Sequence, residues 1–145
     1  MDKFKLKIVT PEKVLLTDEV SQMSVSTTSG QITILPHHLP LISQLAPGEI
    51  IVKHEDKEAS LMAVFGGFIE VLPDEVIILA DRAEYAADID EKRAEEAKLR
   101  AEEALKEKHL DSEQFAFLSA NLEKELNRLR VYRKYKKQNT NIIQH

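Results

Sequence analysis

All four glycines and all five prolines of this 145-residue chain lie before Ala86, and neither residue type occurs from Ala86 to His145. Glycine and proline are the strongest local punctuators of structure, so the first half must break into short elements while the second is free to run in long helices. The composition step predicts two domains, 1–86 and 87–137, with 138–145 as a loose polar tail.

In the first half, Phe4, Leu6 and Ile8 alternate with Lys3, Lys5 and Lys7, the period-two pattern of a strand with one wet face, which Thr10-Pro11 ends. The theme repeats at 14–16, 20–25, 32–35, 49–53, 60–65, 68–72 and 76–80. The breaks are Ser29-Gly30, Pro36, Pro47-Gly48, Gly66-Gly67 and Pro73-Asp74. Short strands at this spacing read as a sandwich or flattened barrel. Leu35-Pro36-His37-His38-Leu39-Pro40-Leu41 is too rich in proline for an interior strand. It reads either as a structural corner or as a docking edge with apolar side chains at the surface. No metal site is expected at the paired histidines: neighbours in an extended chain point apart, and no acidic residue or cysteine accompanies them locally. Gly66-Gly67 lacks the Lys-Ser/Thr sequel of a phosphate loop, so a bulge or tight turn is expected there.

The second half reads as an antiparallel two-helix hairpin. A first helix over about 89–108 is expected to start at Asp88 as N-cap, with Glu91 three residues on. Ile89, Arg93 and Arg100 then fall on one face, and Asp90 neighbours Arg93 at i, i+3. Ala94, Ala97, Ala101, Ala104 and Leu105 make a seam of small side chains, whose burial yields less than burial of leucines at ~25 cal/mol per Å². The second helix is expected to start near Asp111, with Gln114 at N3 and an apolar face of Phe115, Leu118, Leu122, Leu126 and Leu129. Glutamates mark the first helix, whereas Arg128, Arg130, Arg133, Lys134, Lys136 and Lys137 crowd the end of the second.

Several functions are disfavoured. A formal net charge of -5 gives no support for nucleic-acid binding, despite Tyr132 and Tyr135 among the basic residues. With no cysteine, there is neither a disulfide framework nor a thiolate nucleophile or zinc ligand. No apolar run approaches the ~20 residues of a membrane span, and Met1 to Lys5 opens a strand rather than a signal segment, so the chain is expected to start at Met1. No Walker, Ser-His-Asp or Cys-His pattern is present, and no catalytic residue is expected.

Four groups of residues in this order resemble the epsilon subunit of bacterial rotary ATP synthases, and the likeness runs nearly end to end. They are Ser29-Gly30-Gln31 leading to Ile34-Leu35-Pro36 with His38, Pro40 and Leu41; Gly66-Gly67-Phe68 with Glu70-Val71; Val76 to Ala80 with Ala83-Glu84; and Asn127-Arg128-Leu129. The resemblance implies a sandwich of about ten strands at the foot of the central stalk, touching the gamma subunit and the c-subunit ring. Gly30, Leu35, Pro36, His38, Pro40 and Leu41 are its expected docking residues. It also implies a hairpin that folds beside the sandwich or extends into the catalytic alpha/beta hexamer, where the basic end inhibits ATP hydrolysis. The expected location is peripheral, on the cytoplasmic face of the cell membrane, with no direct membrane contact.

Some members of that family bind ATP as a regulatory ligand through Ile/Leu-Asp-x-x-Arg-Ala, and Ile89-Asp90-Glu91-Lys92-Arg93-Ala94 fits the motif. Similar proteins add a preceding glutamate, an arginine seven residues after the motif arginine, and two arginines of the second helix. Glu84, Arg100 and Arg128 occupy three of those positions, and Lys124 stands at the fourth. Lysine keeps the charge but not the planar fork. No cofactor is required for such a role. The competing reading is a free-standing ATP-sensing protein without a rotary partner, which co-purification with membranes and ATP synthase subunits separates from the first.

Overall fold

Alternation at the N-terminus sets the first strand as expected: in β1 (Phe4–Val9) Phe4, Leu6 and Ile8 are buried, while Lys5 is exposed. The computed structural model describes residues 2–143, with side chains described through Asn139. Among these, nine strands precede the helices, against the expected ten or so. After β1 come β2 (Val14–Val20), β3 (Gln22–Thr27), β4 (Gly30–Ile34), β5 (Leu41–Lys53), β6 (Ser60–Val64), β7 (Gly67–Val71), β8 (Glu75–Ala80) and β9 (Ala83–Tyr85).

The main path runs β2-β1-β8-β7-β5-β3-β4, with β6 bridging β5 and β9. The β1–β8 pair is parallel and the others are antiparallel. Their inner faces meet in one core that includes Leu6, Ile8, Met23, Ile34, Ile50, Met62, Ile69 and Ile78, all at most 1% exposed. Complete burial of such side chains contributes about 1.5–3 kcal/mol each, and this is what holds the sandwich.

Pro47-Gly48 does not end a strand; it bends one. The first half of β5 pairs with β7 (Leu41 to Leu45) and the second with β6 (Gly48 to Val52), and the register to β3 slips between Val25 and Thr27. Pro47 stands at this handover with no cross-strand partner, so its missing N–H removes no ladder bond. Gly48 is needed there because a Cβ would fall on the Ser26 side chain. Gly66 and Gly67 take φ of 88° and 120° in the tight turn into β7, and a Cβ on Gly67 would strike the Leu79 carbonyl oxygen.

The chain divides into two compact units between Tyr85 and Ala86. The second begins with a 3-10 turn, Ala86–Asp88, followed by α1 (Glu91–Leu105) and α2 (Ser112–Ile143). Two expectations fail at α1. Its N-cap is Asp90, not Asp88: Asp90 has extended φ/ψ of -88° and 103°, and its carboxylate accepts a hydrogen bond from the Arg93 backbone N–H. The 3-10 turn Ala86–Asp88 and the buried Ile89 come first and delay the helix by two residues. It also ends at Leu105 rather than near Lys108.

At α2 the expected start is realised as a reciprocal capping box. Gln114 N–H donates to Asp111 Oδ1 at 2.7 Å, and Asp111 N–H donates to Gln114 Oε1 at 3.1 Å. The helix runs to Ile143, and residues 144–145 of the expected tail lie outside the described residues.

Candidate functional site

Packing of α1 on α2 follows the alanine seam. Ala94 and Ala101 are buried, Ala97, Ala104 and Leu105 are half-buried, and Leu99 is exposed on the opposite side. Small side chains let two helices approach but fill little volume. Where the seam meets α2 a groove of about 350 Å³ remains. From α1 it is lined by Ala97, Arg100, Ala101 and Ala104; from α2, by Leu118, Asn121, Lys124 and Glu125.

The α2 stripe differs from the expected one. Glu125, Asn127, Leu129 and Val131 are its fully buried residues and Leu118, Asn121 and Leu122 are half-buried, whereas Phe115 and Leu126 are exposed at 55% and 39%. Glu125 takes the inward slot because positions 118, 122, 125 and 129 continue one helical face and 126 drifts off it. Its carboxylate is satisfied locally. The same Arg128 guanidinium nitrogen donates to Oε2 at 3.0 Å and to Oε1 at 3.4 Å, and Lys124 Nζ lies 3.6 Å from Oε1. Glu125 and Asn121 were not singled out from the sequence; the available signal was a carboxylate in a helical core slot between two cations.

Of the residues expected to hold ATP, Arg100 and Lys124 line the groove together. Arg128 stands one turn along α2, tied to Glu125. Arg93 is exposed two turns before Arg100, about 10 Å along the axis, and its guanidinium has no partner among the described residues. Ala94 is buried in the seam. Ile89 does not share an open surface with the arginines: it precedes the helix and is 4% exposed. Asp90 is occupied as N-cap through one carboxylate oxygen. Glu84 lies on β9, opposite Ala63, in the first unit.

The basic end is partly engaged inside the hairpin. Arg133 bonds Glu95 of α1 at 2.6 Å and lies 3.6 Å from Glu91, while Arg130 donates to Asn127 at 3.4 Å. The Tyr132 and Tyr135 rings stack at a tilt, 6.4 Å apart.

On the sandwich, the Gly30 turn is exposed and pinned by Thr27, whose hydroxyl donates to the Gly30 carbonyl at 2.6 Å. Leu35 and Pro40 are exposed, whereas Pro36 and His38 are half-buried and Leu41 packs on the core. The two histidines turn to different groups: His37 Nε2 to Asp2 at 3.1 Å, and His38 Nδ1 to the Leu39 carbonyl at 2.7 Å. Leu39 of this loop is 80% exposed, and three exposed apolar strand residues were missed: Ile42 at 72%, Leu79 at 57% and Phe68 at 56%. Phe68 faces Leu79 across β7 and β8, and Ile42 sits on the next diagonal of β5. Their signal was period-two alternation that puts a large apolar residue on the wet face.

The chain is thus a β-sandwich with an apolar patch on its outer face, followed by a charged two-helix hairpin that holds a small groove. Residues 3–86 match the family model for the ATP synthase delta/epsilon chain beta-sandwich domain, and 87–133 match that of its long alpha-helix domain. The chain therefore belongs to the ATP synthase delta/epsilon family, as an epsilon-type stalk subunit that is not itself an enzyme. The ATP synthase epsilon chain of Dehalococcoides mccartyi is 43% identical over 137 residues, 94% of this chain and 97% of that one. That of Chloroflexus aggregans is 46% identical over 132 residues, covering 90% and 93%. That of Halalkalibacterium halodurans is 39% identical over 131 residues, covering 90% and 98%. In fold, the chain resembles one in the mitochondrial ATP synthase of Euglena gracilis, with a TM-score of 0.77 at 22% identity, covering 86% of this chain and 78% of that one.

Proposed function

We propose that the sandwich anchors this subunit at the foot of the rotor while the hairpin is an ATP-responsive brake on hydrolysis. The anchor uses the Gly30 turn, the loop of Leu35, Pro36, His38 and Pro40, and the neighbouring apolar patch, against the gamma subunit and the c-subunit ring. An exposed apolar patch of this kind favours a protein partner. The subunit is then peripheral, on the cytoplasmic face of the cell membrane, reached only through the complex.

The observation that carries the ATP reading is the groove in which Arg100 and Lys124 converge over small alanines, with the Asp90–Arg93 turn on the same helix. Its volume lies at the lower end of the range of small-ligand sites, and its cations suit phosphate oxygens. The alanine seam supplies the switch. A helix that buries only Ala94 and Ala101 completely is released for few kcal/mol, a gap that a ligand preferring the folded hairpin can tip. Release also frees Arg133 from Glu91 and Glu95, so the basic end gains a cation for an acidic surface of the catalytic hexamer as the hairpin opens.

Calorimetric titration of the full chain with ATP tests the reading. One site is expected, and Arg93→Ala is expected to weaken it at least tenfold, about 1.4 kcal/mol, with the sandwich still folded. Equal affinity in wild type and Arg93→Ala would remove the hairpin site.

A further inference from the structure

Glu125 places a negative charge where an anion-binding groove has least use for one. Its side chain is 6% exposed, it lines the groove beside Lys124 and Arg100, and its two oxygens are held by Arg128 and approached by Lys124. Arg100, on the facing helix, makes no hydrogen bond or ion pair among the described residues. Two cations of the α2 side are thus already spent on an internal carboxylate, and one cation of the α1 side is open. A carboxylate and a phosphate present the same kind of paired anionic oxygen to guanidinium and ammonium groups. A buried charge also keeps its partners firmly, because leaving either unpaired is costly.

We propose that Glu125 is a specificity-determining residue of the groove: an internal counter-anion that occupies Lys124 and Arg128 when the groove is empty and competes with the polyphosphate of an incoming nucleotide. The inference rests on the nucleotide reading of the groove. Arg100 makes the first phosphate contact, and Lys124 and Arg128 follow only as Glu125 gives them up. Affinity for ATP is thereby set low by this chain's own residue, independently of the lysine at position 124. Adenosine, with no phosphate, does not meet the competition.

The test is calorimetric titration of full-length wild type, Glu125→Gln, Glu125→Ala and Arg93→Ala with ATP, tripolyphosphate and adenosine, each chain checked for helicity by circular dichroism. Both Glu125 variants are expected to bind ATP and tripolyphosphate at least tenfold more tightly than wild type, with adenosine unchanged. Equal or weaker ATP binding in the variants that keep their helicity overturns the inference; so does loss of helicity in both, which would make Glu125 structural. If Arg93→Ala abolishes binding while the Glu125 variants gain none, only this inference falls. If Arg93→Ala binds as wild type does, or no chain binds, the nucleotide reading falls with it.

Discussion

Asp90→Asn and Asp90→Ala are expected to separate two roles that share one carboxylate. Asp90 Oδ1 accepts the Arg93 backbone N–H at 3.1 Å, closing the first turn of α1, while Oδ2 has no partner among the described residues. Asparagine caps as well as aspartate, so Asn keeps the hydrogen bond and gives up only the charge–dipole attraction, about 0.3–1 kcal/mol at an exposed N-terminus. Alanine gives up both and costs about 1 kcal/mol more, a large share for a helix whose buried face is alanine. In thermal melts followed by circular dichroism, the Ala variant should lose hairpin stability and the Asn variant little. If Oδ2 meets the ligand, both should lose at least tenfold in ATP affinity. Wild-type affinity in Asp90→Asn would mean that Asp90 is a cap and nothing else; unchanged stability in Asp90→Ala would refute the capping account.

Three further outcomes follow from the same contacts. Lys124→Arg is expected to tighten ATP binding, since a planar fork can engage Glu125 and phosphate together; weaker or equal affinity in titration would mean that position 124 does not face the nucleotide. The Lys57 hydrogen bond, with help from the Glu19 backbone N–H, holds the Asp18 carboxyl below its usual range. Its folded value being lowered, the stability from ionised Asp18 is fully present above the unfolded pKa of about 3.9 and is lost as pH falls through the folded one. Lys57→Ala should therefore flatten the acid limb of stability measured by denaturant titration, and identical limbs would contradict the assignment. Neutralising Arg128, Arg130, Arg133, Lys134, Lys136 and Lys137 together should raise ATP hydrolysis by the assembled enzyme; no rise, where truncation of the hairpin does raise it, would make the brake steric or apolar.

Local signals were legible and long-range ones were not. Alternation at Phe4, Leu6 and Ile8 marked β1, and Asp111 with Gln114 marked the start of α2, because each depends on neighbours within a turn or a strand. The parallel pairing of β1 with β8 joins residues some seventy apart, such as Leu6 with Val76, and has no local trace. Pro47-Gly48 looked like a strand end because the sequence does not reveal that β5 changes partners there. Asp88 was expected to cap α1, but it ends a 3-10 turn that the sequence did not announce, and the cap falls to Asp90. Arg100 and Lys124, both named from the sequence, line one groove, but Glu125 beside them was passed over in favour of Leu126, where hydrophobicity outweighed helical phase.

The most direct measurement is ATP hydrolysis by the ATP synthase assembled with either the full chain or a chain truncated after Leu110, across a range of ATP concentrations. Faster hydrolysis is expected from the truncated enzyme at low ATP, with a difference that shrinks as ATP rises and holds the full hairpin folded. Equal rates at every ATP concentration would contradict it.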